Sequence, residues 1–194
     1  MQPNTLDDGY WSNRYQTHSD AWDMGMPSPP LTHYIDQLTD KDLRILIPGC
    51  GNAYEAIYLL QQGFTNVTLI DISAYLVQQL QQNPMLQQAR ILHQNFFDHT
   101  ETYDLILEQT FFCALHPSLR KDYAAHMHRL LSPKGRVAGL LFNCSFVSSP
   151  PFGGDEAAYR QLFKPHFFIK CMAACYNSVT ARKERELFFI LRHK

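Results

Sequence analysis

What the chain lacks narrows its function first. It has no excess of positive charge: 17 Lys and Arg stand against 18 Asp and Glu, a formal net charge of −1. Nothing in that balance favours a phosphate backbone, so nucleic acid is not an expected partner. It has no apolar run approaching the roughly 20 residues that cross a bilayer. Its polar, acidic start, MQPNTLDDGYW, is unlike a cleavable signal peptide. The five cysteines (Cys50, Cys113, Cys144, Cys171, Cys175) form no paired framework, and the Cys171/Cys175 spacing has no matching second pair. Neither a disulfide scaffold nor a metal site is therefore expected. A Gly-Lys-Ser/Thr phosphate loop is also missing. What is present, 45% hydrophobic and 13% aromatic residues in a chain of 194, is ample for a packed core. The expectation is a soluble, cytoplasmic, monomeric protein with one domain over residues 1–194.

Residues 1–30 differ from the rest, being aromatic, polar and closed by Pro27, Pro29 and Pro30. Proline fits neither a helix interior nor a central strand, so this segment reads as a connection into the main body. Beyond Leu43, short apolar runs alternate with longer amphipathic ones. Strands are expected at 44–48, 67–71, 89–93, 103–108 and 136–142, and helices at 53–62, 73–82, 118–131 and 155–163. The Gln-rich stretch 78–88 is the solvated end of a helix and its exit. Strand candidates at 166–175 and 185–192 follow each other with no helix between, which suits an antiparallel hairpin added to the sheet edge. The whole is a doubly wound α/β fold with a mostly parallel sheet covered on both faces.

In such a sheet, ligands lie beyond the carboxyl ends of the strands. The first strand runs into Gly49-Cys50-Gly51 and a helix, and the second ends in Asp71. A carboxylate about twenty residues past a glycine turn suits the two hydroxyls of a ribose. A dinucleotide would want a third glycine where this chain has Tyr54. A nucleoside ligand without a pyrophosphate fits better, namely S-adenosyl-L-methionine. Asn95 would then serve the adenine edge, and Phe96 either covers its face or packs in the core. Glu108, ending the fourth strand, would meet the ligand's ammonium or lie near its sulfonium, or else is a helix N-terminal acid with no ligand.

Several motifs occur in order: Tyr10-Trp11-x3-Tyr15-x6-Trp22-Asp23-x-Gly25-x-Pro27, Ile47-Pro48-Gly49-Cys50-Gly51, Ile70-Asp71-Ile72-Ser73, Phe111-Phe112-Cys113-Ala114-Leu115 and Pro150-Pro151-Phe152. The series resembles the thiopurine methyltransferase-like family, which includes plant and fungal thiol/halide methyltransferases, from about Tyr10 to the C-terminal strands. The resemblance implies a Rossmann-like class I methyltransferase with a seven-stranded sheet and residues 1–30 folded over the cofactor as an aromatic lid. It also implies cofactor contacts from Trp11, Tyr15, Trp22, Gly49, Asp71, Asn95 and Glu108, to which the glycine turn itself adds Gly51. Tyr15 stands where the plant members carry tryptophan, Ala53 replaces a common glycine, and Asn95 replaces a common aspartate. Gln109 stands where the thiopurine enzymes proper have an arginine linked to substrate. A purely structural alternative treats Trp11, Tyr15 and Trp22 as a staple fixing a helix, since Trp11 and Tyr15 share one helical face.

The expected acceptor pocket comprises Gln109, Phe111, Phe112, Cys113 and Phe152, with no catalytic acid or base and no covalent role for Cys113. His116 is the one histidine expected close to it. With Gln109 offering no fixed positive charge, the acceptor is expected to be a small soft nucleophile: a thiol, chalcogen anion or halide. A non-catalytic S-adenosylmethionine-binding protein and a nicotinamide-dependent oxidoreductase stay open as alternatives.

Overall fold

The computed structural model describes residues 6–194; residues 1–5 of the expected lid segment lie outside the described residues. Five strands, β1 (Ile45–Pro48), β2 (Val67–Asp71), β3 (Arg90–His93), β4 (Tyr103–Gln109) and β5 (Leu131–Phe142), pair in parallel. Two more, β6 (Phe167–Ala174) and β7 (Glu186–His193), complete a seven-stranded sheet of order β3-β2-β1-β4-β5-β7-β6. The C-terminal hairpin forms as expected, with β7 antiparallel to both β5 and β6 and lying between them. Because the chain steps from β2 to one side of β1 and to β4 on the other, the carboxyl ends of β1 and β4 flank the crevice where such folds bind ligands.

Side-chain alternation along the strands divides the core into two layers. Ile45, Ile47, Leu105 and Leu107 meet α2 (Pro29–Ile35), α3 (Tyr54–Gln61) and α4 (Ala74–Gln81) on one face. Leu46 and Ile106 meet α5 (Arg120–Arg129) and α6 (Glu156–Phe163) on the other. Burying each such side chain contributes about 1.5–3 kcal/mol. Both faces of β1, β2 and β4 are covered, which is why their sequences run largely apolar without alternating, whereas the edge strand β3 stays partly exposed.

Three local expectations change. Pro29 and Pro30 are not in a loop; they open α2, where a missing N–H leaves no helical bond unmade. Strand β5 starts at Leu131 rather than at residue 136. Tyr103 pairs with Leu131 and Leu105 with Arg136, so an irregularity absorbs the Pro133-Lys134-Gly135 stretch. The expected helix at 118–131 is preceded by a 3-10 turn over Pro117–Leu119 and stops at Arg129. Among the described residues, no helix is long and apolar enough to cross a membrane.

Candidate active site

A cavity of about 920 Å³ opens at the carboxyl ends of β1, β2 and β4. One wall comes from residues 6–26, which include α1 (Asp8–Gln16). Helix α1 is seated on the N-terminus of α4: Asp8 Oδ1 accepts the Ala74 N–H at 2.9 Å, and the Ser12 and Ser73 hydroxyls lie 2.9 Å apart. That seat places Trp11 and Tyr15 on the cavity wall. Trp22 meets both edge-on, at 5.6 and 5.7 Å between centroids. The three rings therefore pack as a staple and line the cavity at once. Asp23 ties this segment to the glycine turn, its Oδ2 accepting from Asn52 Nδ2 at 2.6 Å and from the Tyr54 hydroxyl at 3.1 Å.

The turn after β1 holds Gly49 at φ +55° and Ala53, the N-cap of α3, at φ +59°. A Cβ on Gly49 would lie 2.2 Å from Phe111 Cδ2, so the ring reaching across from the end of β4 is what demands glycine there. Gly49→Ala is expected to combine this clash with an unfavourable left-handed backbone, destabilising the fold by about 1–3 kcal/mol and displacing Phe111. A thermal melt and a crystal structure of the variant would check both effects; an unshifted Tm would show the contact to be soft.

Asp71 ends β2 fully inside this wall. Burial pushes its carboxyl up to about 6, against the pull of the Ser73, Gly51 and Ile72 N–H groups. The Ser73 N–H donates to Oδ1 at 2.9 Å. Next along the wall, Asn95 Oδ1 accepts the Phe97 N–H at 3.0 Å, and Phe96 packs against Phe111 at 5.1 Å.

The structure redistributes several expected site residues. Gly49, Gly51, Asp71, Asn95, Phe96, Gln109, Phe111, Cys113 and His116 line the cavity; Glu108, Phe112 and Phe152 do not. Glu108 is 0% exposed and faces the opposite layer, where it accepts the Tyr123 hydroxyl at 2.6 Å and the Phe112 N–H at 2.9 Å. It anchors the turn carrying Phe111 and lies on the far side of the strand from the ligand crevice. Phe112 is core, edge-on to Tyr123 and Tyr159. Phe152 donates its N–H to the Cys113 carbonyl and turns its ring to His116. Phe142, Phe146, Pro150 and Pro151 form that wall instead. The Cys113 thiol donates to the Thr110 carbonyl at 3.0 Å, and burial raises its pKa, which keeps it a neutral thiol.

Sequence reasoning missed a cation here. Arg182, nearly buried, lines the cavity with its guanidinium 5.4 Å from the Phe142 ring centroid. It donates to the Trp22 carbonyl at 2.7 Å and pairs with Glu186 at 3.4 Å. The wall therefore does carry a guanidinium, supplied by the β6–β7 connection rather than by position 109 and balanced by Glu186. Both amide atoms of Gln109 are buried without a hydrogen-bond partner. Unpaired buried polar atoms beside a large cavity fit a polar ligand that would satisfy them.

The profile of the thiopurine S-methyltransferase (TPMT) family matches residues 6–187. The chain belongs to that family. A probable thiol methyltransferase 2 of Arabidopsis thaliana is 29% identical over 164 residues, 81% of this chain and 72% of the relative. Thiocyanate methyltransferase 1 of the same plant is 27% identical over 191 residues, 94% of this chain and 83% of the relative. A thiopurine S-methyltransferase of Gluconobacter oxydans (strain 621H) is 28% identical, with 79% of each chain covered. Among solved structures, a Burkholderia thailandensis 1,6-didemethyltoxoflavin-N1-methyltransferase with bound S-adenosylhomocysteine superimposes with a TM-score of 0.73 at 18% identity, covering 96% of this chain and 87% of that one. That likeness speaks to the fold. As a member of the TPMT family, the protein is an S-adenosyl-L-methionine-dependent methyltransferase.

Proposed function

We propose that the donor lies along the glycine turn and that the acceptor is a small soft nucleophile: a thiol, a chalcogen anion or a halide. In this reading Asp71 accepts the ribose hydroxyls, Asn95 and Phe96 border the adenine, and Gly49 and Gly51 leave room along the methionine. Trp11, Tyr15 and Trp22 cover the donor's sulfonium; cation–π contacts with such rings contribute on the order of 1–2 kcal/mol each once desolvated. The bound donor supplies a methyl group on a positively charged sulfur.

The observation that carries the acceptor class is the wall opposite the turn, lined by Phe111, Phe142, Phe146 and Cys113, where the Arg182 guanidinium lies over Phe142 and is paired with Glu186. A dry, aromatic wall whose guanidinium is already balanced by a carboxylate favours a small, easily desolvated nucleophile, such as a thiolate or halide anion, over a bulky polar one. Methyl transfer from a sulfonium to such an anion consumes opposite charges, so water stabilises the reactants more than the transition state. A dry, aligned pocket therefore accelerates the step, and no side-chain base is required of the protein. The thiol and thiocyanate named for the plant relatives have this chemistry.

Incubating the protein with the donor and, separately, bisulfide, small thiols, thiocyanate, iodide, a thiopurine and a catechol tests the reading through the methylated products. Turnover is expected with the sulfur and halide nucleophiles. Methylation confined to catechol or other bulky oxygen and nitrogen acceptors would defeat it.

A further inference from the structure

We propose that Arg14 receives the α-carboxylate of the donor's methionine moiety, so that helix α1 is latched by the ligand it covers. The inference rests on the reading that the donor lies along the glycine turn. Arg14 lines the same cavity as Gly49, Gly51 and Asp71, and its Nε is buried without a hydrogen-bond partner. Its guanidinium carbon sits 5.2 Å from the Trp22 ring centroid and 6.0 Å from that of Tyr10. These rings hold the guanidinium in place but accept no conventional hydrogen bond, so Nε–H still needs an oxygen.

The other cations on the cavity wall are differently committed. Arg182 is taken by the Trp22 carbonyl and Glu186; Arg185, like Arg14, lies over a ring, Phe146 at 5.0 Å, but leaves no buried nitrogen without a partner. Arg14 enters none of the ion pairs between described residues. Of the cavity carboxylates, Asp23 is occupied by Asn52, Tyr54 and the Gly25 N–H, and Glu55 accepts the Ser28 N–H. A planar guanidinium with an unused N–H edge is the group best shaped to receive a carboxylate. Because Arg14 belongs to α1, whose seat on α4 is made by only a few polar contacts, such a bond would tie closure of this segment to the amino-acid half of the donor.

The test compares two ligands that differ in that half. S-Adenosylhomocysteine carries the carboxylate; 5′-methylthioadenosine keeps the adenosine and sulfur and lacks the amino acid. Calorimetry on wild type, Arg14→Gln and Arg14→Lys, each shown folded by thermal melt, reads the affinities. Arg14→Gln is expected to weaken S-adenosylhomocysteine at least about tenfold and to leave methylthioadenosine unchanged, with Arg14→Lys between. The only tryptophans, Trp11 and Trp22, flank Arg14 along the segment. Their fluorescence should respond more to S-adenosylhomocysteine than to methylthioadenosine in wild type, and equally to both in Arg14→Gln. Equal weakening of both ligands would make Arg14 a mere support for Trp22 and overturn the proposal, as would unchanged affinity for S-adenosylhomocysteine. Indifference of both ligands to Asp71→Ala would instead overturn the placement of the donor itself.

Discussion

Replacing Asp71 by alanine is expected to raise the dissociation constant for S-adenosylhomocysteine at least tenfold, and about a hundredfold if both ribose hydroxyls lose their acceptor. Hydrogen bonds to a charged acceptor contribute about 1.5–3 kcal/mol each, and 1.4 kcal/mol is a factor of ten. The fold should survive, because the buried carboxylate is itself unfavourable to desolvate; burial already pushes it up to about 6. That elevation sets a pH dependence whose sign is fixed. Donation from two hydroxyls favours the ionised form, so ligand and proton compete for the same carboxylate. Wild-type affinity should be flat above about pH 7 and fall towards tenfold per pH unit below 6, whereas Asp71→Asn should lack that dependence. Calorimetry between pH 5 and 8 reads both effects. A folded Asp71→Ala variant that binds as tightly as wild type would remove Asp71 from the site.

Much of this arrangement was legible because the informative signals are local. Val67–Asp71 is an apolar, β-branched run ending in an acid, and β2 has those bounds. Gly49 and Gly51 sit between strand and helix, and both adopt left-handed backbone there. The position of β7 between β5 and β6 was not legible, since pairing across the sheet leaves no mark on the spacing of either strand. Arg182 was missed for a related reason: it lies in a 3-10 turn, Thr180–Arg182, and reaches the cavity only through the β6–β7 hairpin. Glu108 is a different case, for the signal was present. Successive side chains of a strand point to opposite faces. Leu105, Leu107 and Gln109 therefore share one side of β4, and Glu108 belongs with Ile106 on the other. Assigning both Glu108 and Gln109 to one crevice overlooked that period of two. Phe112 and Phe152 are aromatic neighbours of the motif whose directions are decided by packing against α5, α6 and His116, which no spacing in the sequence reveals.

The new place of Glu108 carries the second large effect. Its two oxygens accept from Tyr123 and Phe112, and this holds the turn that presses Phe111 onto Gly49 and Phe96. Glu108→Ala would leave a buried hydroxyl and a buried N–H without partners and open a void, destabilising the fold by about 3–5 kcal/mol. Glu108→Gln should recover that loss, its carbonyl accepting the Phe112 N–H and its amide donating to the Tyr123 oxygen. The two variants separate further with pH. Burial raises the Glu108 carboxyl from its ordinary 4.5 to about 7, despite the bonds from Tyr123, Phe112 and Phe111 that favour the ionised form. A raised folded-state value means that the stability contributed by the protonated acid is complete below about 4.5 and is lost as pH rises through 7. Glutamine imitates the protonated form at every pH. Wild type should therefore match Glu108→Gln in melting temperature near pH 4.5 and fall below it by pH 8, while Glu108→Ala lies lowest throughout. If the gap between wild type and Glu108→Gln stays constant over that range, the carboxyl titrates normally and its burial does not hold the proton. If Glu108→Ala melts with wild type and binds S-adenosylhomocysteine equally well, the turn stands without its anchor, and Phe111 is positioned by Gly49 and Phe96 alone.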